Sequence, residues 1–358
     1  MKKLIYKYAH IADLHLGARP RGIRQRKIDI FNSAYWMADK IMDNGYYNGV
    51  LICGDTFHTK LVDWETIASF NNLIVRLPSD RIVIPGNHDD VKEWQWYNNY
   101  RDMLINPQNQ LACKYCQLGM SDKFNIGVFG INWDTISNTT KVLDELKPKI
   151  NKDNFNILML HQAIEGQIHQ NENKNYITRE YLESLKEYFS YVALGHIHHM
   201  YIIDDFAFNP GSPEYLTVSE WGNKSGMFIV SIYDDKSFDY KFIETPKRPN
   251  LKIRINSDEL LDKETIMWYI NNHNIVKDSM LYIEFVGDKE LTPKIIKEIE
   301  TDVMTDYNLV LLKTKNLTRR SSSEVVIQRD DVFDIFDPDD KELARSILNN
   351  KSVDINQL

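Results

Sequence analysis

Five short apolar runs in this chain each end in a side chain able to bind a metal ion. The ends read Asp13-Leu14-His15, Gly54-Asp55, Gly86-Asn87-His88-Asp89, Leu160-His161 and Gly195-His196-Ile197-His198. A short apolar run closed by Gly, Asn, Asp or His has the length and the stop signals of a buried strand. In open α/β sheets, ligands gather in the crevice beyond the carboxyl ends of the strands. Motifs scattered from residue 13 to residue 198 can therefore meet at one sheet edge, and α/β is the expected fold class.

The intervening sequence agrees, because apolar runs alternate with helix-like segments from Lys3 to about Thr245. The expected strands are 6–12, 50–53, 81–84, 124–131, 155–160, 191–194, 200–207, 227–233 and 238–244. Between the first two, Ile28, Phe31, Tyr35, Ala38 and Met42 recur at helical spacing and mark one face of an amphipathic helix. Thr245-Pro246-Lys247-Arg248-Pro249 reads as a linker. Beyond it Leu251, Ile253 and Ile255 alternate with Lys252 and Arg254 as in a half-buried strand, and Ser257 can cap a helix running to about Asn272. A strand near 281–285, a helix opened by Thr292-Pro293 and a strand at 309–312 complete a small domain. The expected division is 1–245, a linker at 246–250, a second domain at 251–316 and a flexible acidic tail at 317–358. One short helix, from Asp337 to Leu348, is expected in the tail.

With 43% hydrophobic and 26% charged residues, the composition excludes a collagen, a disordered chain and a disulfide scaffold. A length of 358 residues exceeds that of a single small binding module. The net charge of −8 argues at first sight against a nucleic-acid partner. From Ser321 onward, however, nine acidic residues face four basic ones, so most of the acidity lies in the tail. The three cysteines, Cys53, Cys113 and Cys116, suit a reducing compartment, and Cys113-Lys114-Tyr115-Cys116 lacks the second pair that a zinc site needs. Lys7 and His10 interrupt the first apolar run before it can form a signal-peptide core, and no stretch of 18 apolar residues occurs. A cytoplasmic protein without membrane contact is expected.

The five motifs supply carboxylates from Asp13 and Asp55, an amide oxygen from Asn87, and imidazoles from His15, His161, His196 and His198. Oxygen and nitrogen donors without thiolate suit Mn²⁺, Fe²⁺ or Zn²⁺ at an open catalytic position. The D-x-H and H-x-H spacings put two ligands on one side of an extended strand end, and Asp55 can bridge two ions. Two divalent ions, two aspartates and a bridging hydroxide leave net positive charge to meet a phosphodiester, the arrangement that serves in-line displacement at phosphorus.

In this order the motifs resemble the signature of the calcineurin-like metallophosphoesterase superfamily: D-x-H, G-D, G-N-H-[DE], H and G-H-x-H. Within it the chain is most similar to the SbcD-type nuclease subunit of the DNA double-strand-break repair nuclease–ATPase complex. Three stretches carry that likeness: Asp13-Leu14-His15-Leu16-Gly17 with the arginine-bearing loop and the Arg26 to Phe31 segment after it; Gly54-Asp55-Thr56-Phe57-His58; and Pro210-Gly211-Ser212-Pro213 followed by Ser219-Glu220. The likeness covers roughly residues 5–233, rests only on arrangement over 250–316, and is weakest in the tail. Short phage-encoded recombination nucleases share this length.

The resemblance implies a four-layer α/β/β/α metallophosphoesterase sandwich of two mixed sheets at 1–245 as the nuclease domain, with a small α+β capping and DNA-binding domain at 251–316 and a tail at 317–358 as the place for docking the ATPase partner. It implies two divalent ions, expected to be Mn²⁺: one held by Asp13, His15, Asp55 and His198, the other by Asp55, Asn87, His161 and His196. His88 is then the group that stabilises or protonates the departing sugar oxygen, and His58 a second non-ligand histidine that orients the phosphate. Asp89 has two readings, a partner of a ligand histidine or a helix cap ahead of Trp94.

Arg19, Arg21, Arg24, Arg26 and Lys27 follow the first ligand pair directly and are expected to grip DNA phosphates. Trp94, Trp96, Tyr97 and Tyr100 suit core packing or an interface better than base stacking, and Val332 to Phe336 is a candidate for docking on a partner. The expectation is a Mn²⁺-dependent exonuclease and endonuclease acting on double- and single-stranded DNA ends. By resemblance it works with an SbcC-type coiled-coil ABC ATPase, as a homodimer, in repair, recombination or replication. The alternatives are a phosphodiesterase for small or cyclic nucleotides and a DNA-end-binding scaffold for the ATPase.

Overall fold

The computed structural model describes residues 2–43, 47–89, 113–120, 123–167, 175–259 and 262–318, with side-chain detail lacking for 113–120. The aromatic group at 94–100 and the tail beyond 318 lie outside the described residues, as do the side chains of Cys113 and Cys116. The chain divides into two units. The first holds Met1–Ala18 and Ile28–Lys247; the second holds Arg19–Lys27 and the chain from Arg248 onward. The break at Lys247 falls in the proline-bearing segment, whereas the assignment of Arg19–Lys27 to the second unit has no sequence signal.

Two mixed sheets form the centre of the first unit. One orders β11 (Phe238–Glu244), β10 (Gly226–Tyr233), β1 (Leu4–Ile11), β2 (Gly49–Cys53) and β3 (Asp80–Ile84). The other orders β4 (Cys113–Met120), β5 (Asn125–Ile131), β6 (Phe155–His161), β7 (Tyr191–Gly195), β9 (Ala207–Asn209) and β8 (Tyr201–Ile203). Strands β1, β2 and β3 run parallel, as do β5, β6, β7 and β9.

Period-two alternation sorts each strand between two cores. Tyr8, Leu51, Cys53, Ile157, Met159 and Tyr191 face the space between the sheets. Ala9, Ile11, Val50 and Ile52 face outward onto α1 (Arg24–Asp43) and α2 (Trp64–Arg76). Leu158, Leu160, Val192 and Leu194 face outward onto α3 (Ile136–Leu146) and α4 (Arg179–Ser184). The result is the four-layer α/β/β/α arrangement. Its inner layer contains one polar tie: buried His10 on β1 meets the Tyr191 hydroxyl at 3.0 Å and the Leu194 carbonyl at 2.9 Å.

Four local expectations are corrected. The buried face of α1 is Ile30, Phe31, Ala34, Met37, Ala38 and Ile41, while Ile28 and Met42 are exposed. The single strand expected at 200–207 is the antiparallel pair β8 and β9, turned at Asp204 and Asp205, both with positive φ. The cap of α5 (Lys263–Asn271) is Asp262, which accepts the Thr265 N–H, because the Ser257 hydroxyl is spent on the Lys289 carbonyl. The second unit, expected as α+β, alternates β12 (Asn250–Asn256), α5, β13 (Met280–Val286), α6 (Pro293–Tyr307) and β14 (Leu311–Asn316), and its three strands are all parallel.

Candidate metal centre

Every motif lies at the carboxyl end of a parallel strand: Asp13 and His15 after β1, Asp55 after β2, Asn87 to Asp89 after β3, His161 closing β6, and His196 and His198 after β7. The loops after β1 and β2 continue the pairing of their strands. Asp13 N–H bonds the Gly54 carbonyl, His15 N–H the Asp55 carbonyl and His58 N–H the Leu16 carbonyl. These bonds bring the first two motifs side by side.

The ligand pairs do not sit on extended strand, as alternation alone would have them. Asp13, His15, Asp55 and His196 have φ of 53°, 44°, 47° and 90°. Left-handed backbone at non-glycine residues costs on the order of 1 kcal/mol each and persists only where surrounding structure enforces it. The motif glycines make room for close approach. A Cβ on Gly86 would lie 2.1 Å from an Asp55 carboxylate oxygen, and one on Gly54 would lie 2.1 Å from His161 Nδ1.

Hydrogen bonds fix which ring nitrogen each histidine presents. His161 Nδ1–H donates to the Cys53 carbonyl at 2.8 Å, leaving the Nε2 lone pair 3.3 Å from Asp55 Oδ2 and 3.1 Å from Asn87 Oδ1. His196 Nδ1 lies 3.0 Å from the same Asn87 oxygen, and its backbone N–H donates to the Asp13 carboxylate at 3.0 Å. His198 Nδ1–H donates to Glu220 at 3.2 Å, so its Nε2 faces His15 Nε2 at 3.1 Å, while His15 Nε2 lies 3.7 Å from Asp55 Oδ2. Lone pairs thus oppose one another on both sides of Asp55, and only cations satisfy them together. The donor set fits two divalent ions.

The buried charges follow the same logic. Burial pushes the Asp13 carboxyl up to about 7. Burial opposes ionisation of His161, yet the neighbouring Asp55 charge and hydrogen bond push that imidazole up to about 9. Burial also acts against Asp55, but His161 and His15 hold it well below the usual carboxylate range. Without ions, protons occupy the place of positive charge.

His58 and His88 flank this cluster of donors. His58 Nδ1 meets His15 Nδ1 at 3.3 Å. With His15 Nε2 turned to the ligand cluster, His15 Nδ1–H donates, which leaves the proton of His58 on Nε2. Burial and the His88 ring lower His58 to about 4. His88 stacks on His58 with ring centroids 5.3 Å apart and donates Nδ1–H to the His58 carbonyl at 2.7 Å. His15, His58 and His88 also lie close enough to hold a cation as a group.

Two side chains have roles that the sequence reading did not give. The buried Asp89 carboxylate accepts the N–H groups of Thr56, Phe57 and Gly86, tying the second motif to the third, while the segment it was expected to cap lies outside the described residues. Glu220, noted in the sequence only within a motif, accepts from His198, Leu216 N–H and Thr217. In the arginine run, Arg21 and Arg24 are exposed and Arg19 is half-buried. Arg26 and Lys27 are 1% and 0% exposed, which takes both off the surface that a phosphate backbone could reach and corrects that expectation.

The sequence matches the calcineurin-like phosphoesterase family over residues 6–200, more than half of the chain. This chain belongs to that family, whose members bind divalent metals. The DNA double-strand break repair protein Mre11 of Methanococcus maripaludis is 25% identical over 375 residues, covering 98% of this chain and 92% of its own. Among solved structures, the GAP50 anchor of the Plasmodium inner membrane complex aligns at 15% identity with a TM-score of 0.37, over 68% of this chain and 90% of that one. The Haemophilus influenzae NAD nucleotidase aligns at 12% identity with a TM-score of 0.37, over 85% of this chain and 60% of that one. Among the described residues, no helix is long and apolar enough to cross a membrane.

Proposed function

We propose that this chain is a Mn²⁺-dependent DNA nuclease that hydrolyses phosphodiester bonds at DNA ends, as exonuclease and endonuclease. In this reading it is the nuclease subunit of a complex with an SbcC-type coiled-coil ABC ATPase, acts as a homodimer, and serves double-strand-break repair. The observation that carries the reading is the pairing of opposed lone pairs around Asp55. The near full-length likeness to a DNA repair protein adds the substrate.

Asp13, His15, Asp55 and His198 would hold one ion, and Asp55, Asn87, His161 and His196 the other. Bound divalent ions supply Lewis acidity toward phosphoryl oxygens and make water a nucleophile near neutral pH. His58, with its proton on Nε2, is a donor for a phosphate oxygen. His88, anchored through Nδ1 to the His58 carbonyl, has Nε2 left to pass a proton to the departing sugar oxygen. Arg19, Arg21 and Arg24 remain as contacts for DNA phosphates.

Replacing His88 tests the assignment. His88→Asn should keep both ions yet lower cleavage of end-labelled duplex DNA by about 10²- to 10⁴-fold. An unchanged cleavage rate at full metal content contradicts the role.

A further inference from the structure

Strand β7 ends at Gly195, and the residues after it, His196 to His199, belong to no strand. Such a segment has no ladder to take up its carbonyl groups, so partners must come from elsewhere. One short stretch supplies them for three residues in succession. Asn209, the last residue of β9, donates from Nδ2 to the Ile197 carbonyl at 2.6 Å and to the His199 carbonyl at 2.8 Å. Ser212 N–H donates to the His198 carbonyl between them at 3.2 Å. Gly211, with φ of 75°, lets the two backbones approach, since a Cβ there would lie 2.6 Å from the His198 oxygen. Asn209-Pro210-Gly211-Ser212 thus grips the histidine loop by its carbonyls, while the Asp13 carboxylate holds the His196 N–H. His196 has φ of 90°, which a non-glycine residue keeps only where its surroundings enforce it.

This loop carries one ligand for each ion of the proposed centre. His196 serves the ion shared by Asn87 and His161, and His198 the ion shared by Asp13 and His15. Slack in the loop would change the spacing of the two rings, and ligands need holding to within about 0.5 Å. We propose that Asn209 is a positioning residue for the two-ion centre: its grip on the Ile197 and His199 carbonyls sets the spacing of His196 and His198, and so the separation of the two ions. The proposal rests on the two-ion centre of the nuclease reading and not on its substrate.

The fold supplies a matched control. Asn156 stands near the amino end of β6, opposite the end that carries His161. Its Nδ2 donates to the Asn151 carbonyl at 2.9 Å and to the Tyr188 carbonyl at 3.0 Å. Both asparagines are buried, and in both Oδ1 has no partner among the described residues. Alanine at either position therefore removes the same bonds, but Asn209 alone of the two holds backbone that bears metal ligands.

The test is electron paramagnetic resonance during Mn²⁺ titration of the chelator-treated full chain, beside urea unfolding of the metal-free proteins. Wild type should take up two ions and show the exchange-coupled spectrum of a bridged pair. Asn209→Ala should lose that spectrum and bind Mn²⁺ about 10- to 100-fold more weakly. Asn156→Ala should lower the urea midpoint as Asn209→Ala does, yet keep the paired spectrum and the wild-type affinity. Gly211→Ala drives a methyl group at the same loop and should repeat the loss; it decides alone where Asn209→Ala is unfolded. A wild-type spectrum and affinity in the folded loop variants overturns the proposal, and so does an equal loss in Asn156→Ala. A wild-type chain that forms the pair but cleaves no DNA contradicts the nuclease reading, and loss of the pair in Asn209→Ala then still supports the clamp.

Discussion

His198 donates its Nδ1–H to the Glu220 carboxylate at 3.2 Å. Burial opposes the ionised carboxylate, yet the hydrogen bonds from His198, Leu216 and Thr217 hold Glu220 below its usual range. A charged partner fixes the ring orientation and raises the basicity of the opposite nitrogen, the atom turned toward Asp13 and His15. Glu220→Gln keeps the shape and removes the charge. It should lower Mn²⁺ affinity by about 10- to 100-fold, measured by calorimetric titration of the chelator-treated protein. Wild-type affinity would show that Glu220 does not support the site.

Gly86→Ala puts a methyl group 2.1 Å from Asp55 Oδ1 and 2.4 Å from the Asp55 amide nitrogen. The Asp55 carboxylate, which also accepts the His88 N–H at 2.9 Å, must turn away. Metal content after gel filtration should fall at least about tenfold, with the far-ultraviolet circular dichroism spectrum kept. A fully loaded variant would mean that the loop yields without moving Asp55.

His10 supplies a pH test of the two-sheet core. Burial pushes its imidazole down to about 3, so the folded chain keeps it neutral while the unfolded chain protonates near the ordinary value of 6.5. Its contribution is full above that value and is lost as pH falls toward 3. His10→Phe leaves the Tyr191 hydroxyl and the Leu194 carbonyl without this partner and should cost about 1–3 kcal/mol at pH 7.5. Between pH 7.5 and pH 5 the gap between wild type and variant should shrink by about 2 kcal/mol. Urea unfolding of the metal-free proteins at both pH values measures it, and a gap that stays constant contradicts a neutral buried His10.

Much of the first unit was legible because its strands are buried on both faces and read as unbroken apolar runs. The ends of those runs carry the candidate site, and strand-end logic alone places Asp13, Asp55, Asn87, His161 and His198 at one edge. Strand β4 was missed because Cys113–Met120 shows no clean alternation. The β8–β9 turn was missed because Asp204 and Asp205 stand inside an otherwise apolar stretch. Asp89 and Glu220 were illegible in role, since a carboxylate that accepts backbone N–H groups looks in sequence like any other acid. Arg26 and Lys27 show the opposite failure, as a run of cations suggested surface and tertiary packing buried two of its members.

The most direct test of the central claim is a Mn²⁺ titration of hydrolysis on end-labelled duplex DNA, circular single-stranded DNA and a small phosphodiester, with and without an ATPase partner. The nuclease reading predicts Mn²⁺-dependent cleavage of both DNAs, abolished by chelation and by His161→Ala. Rapid turnover of the small diester with neither binding nor cleavage of DNA would contradict it.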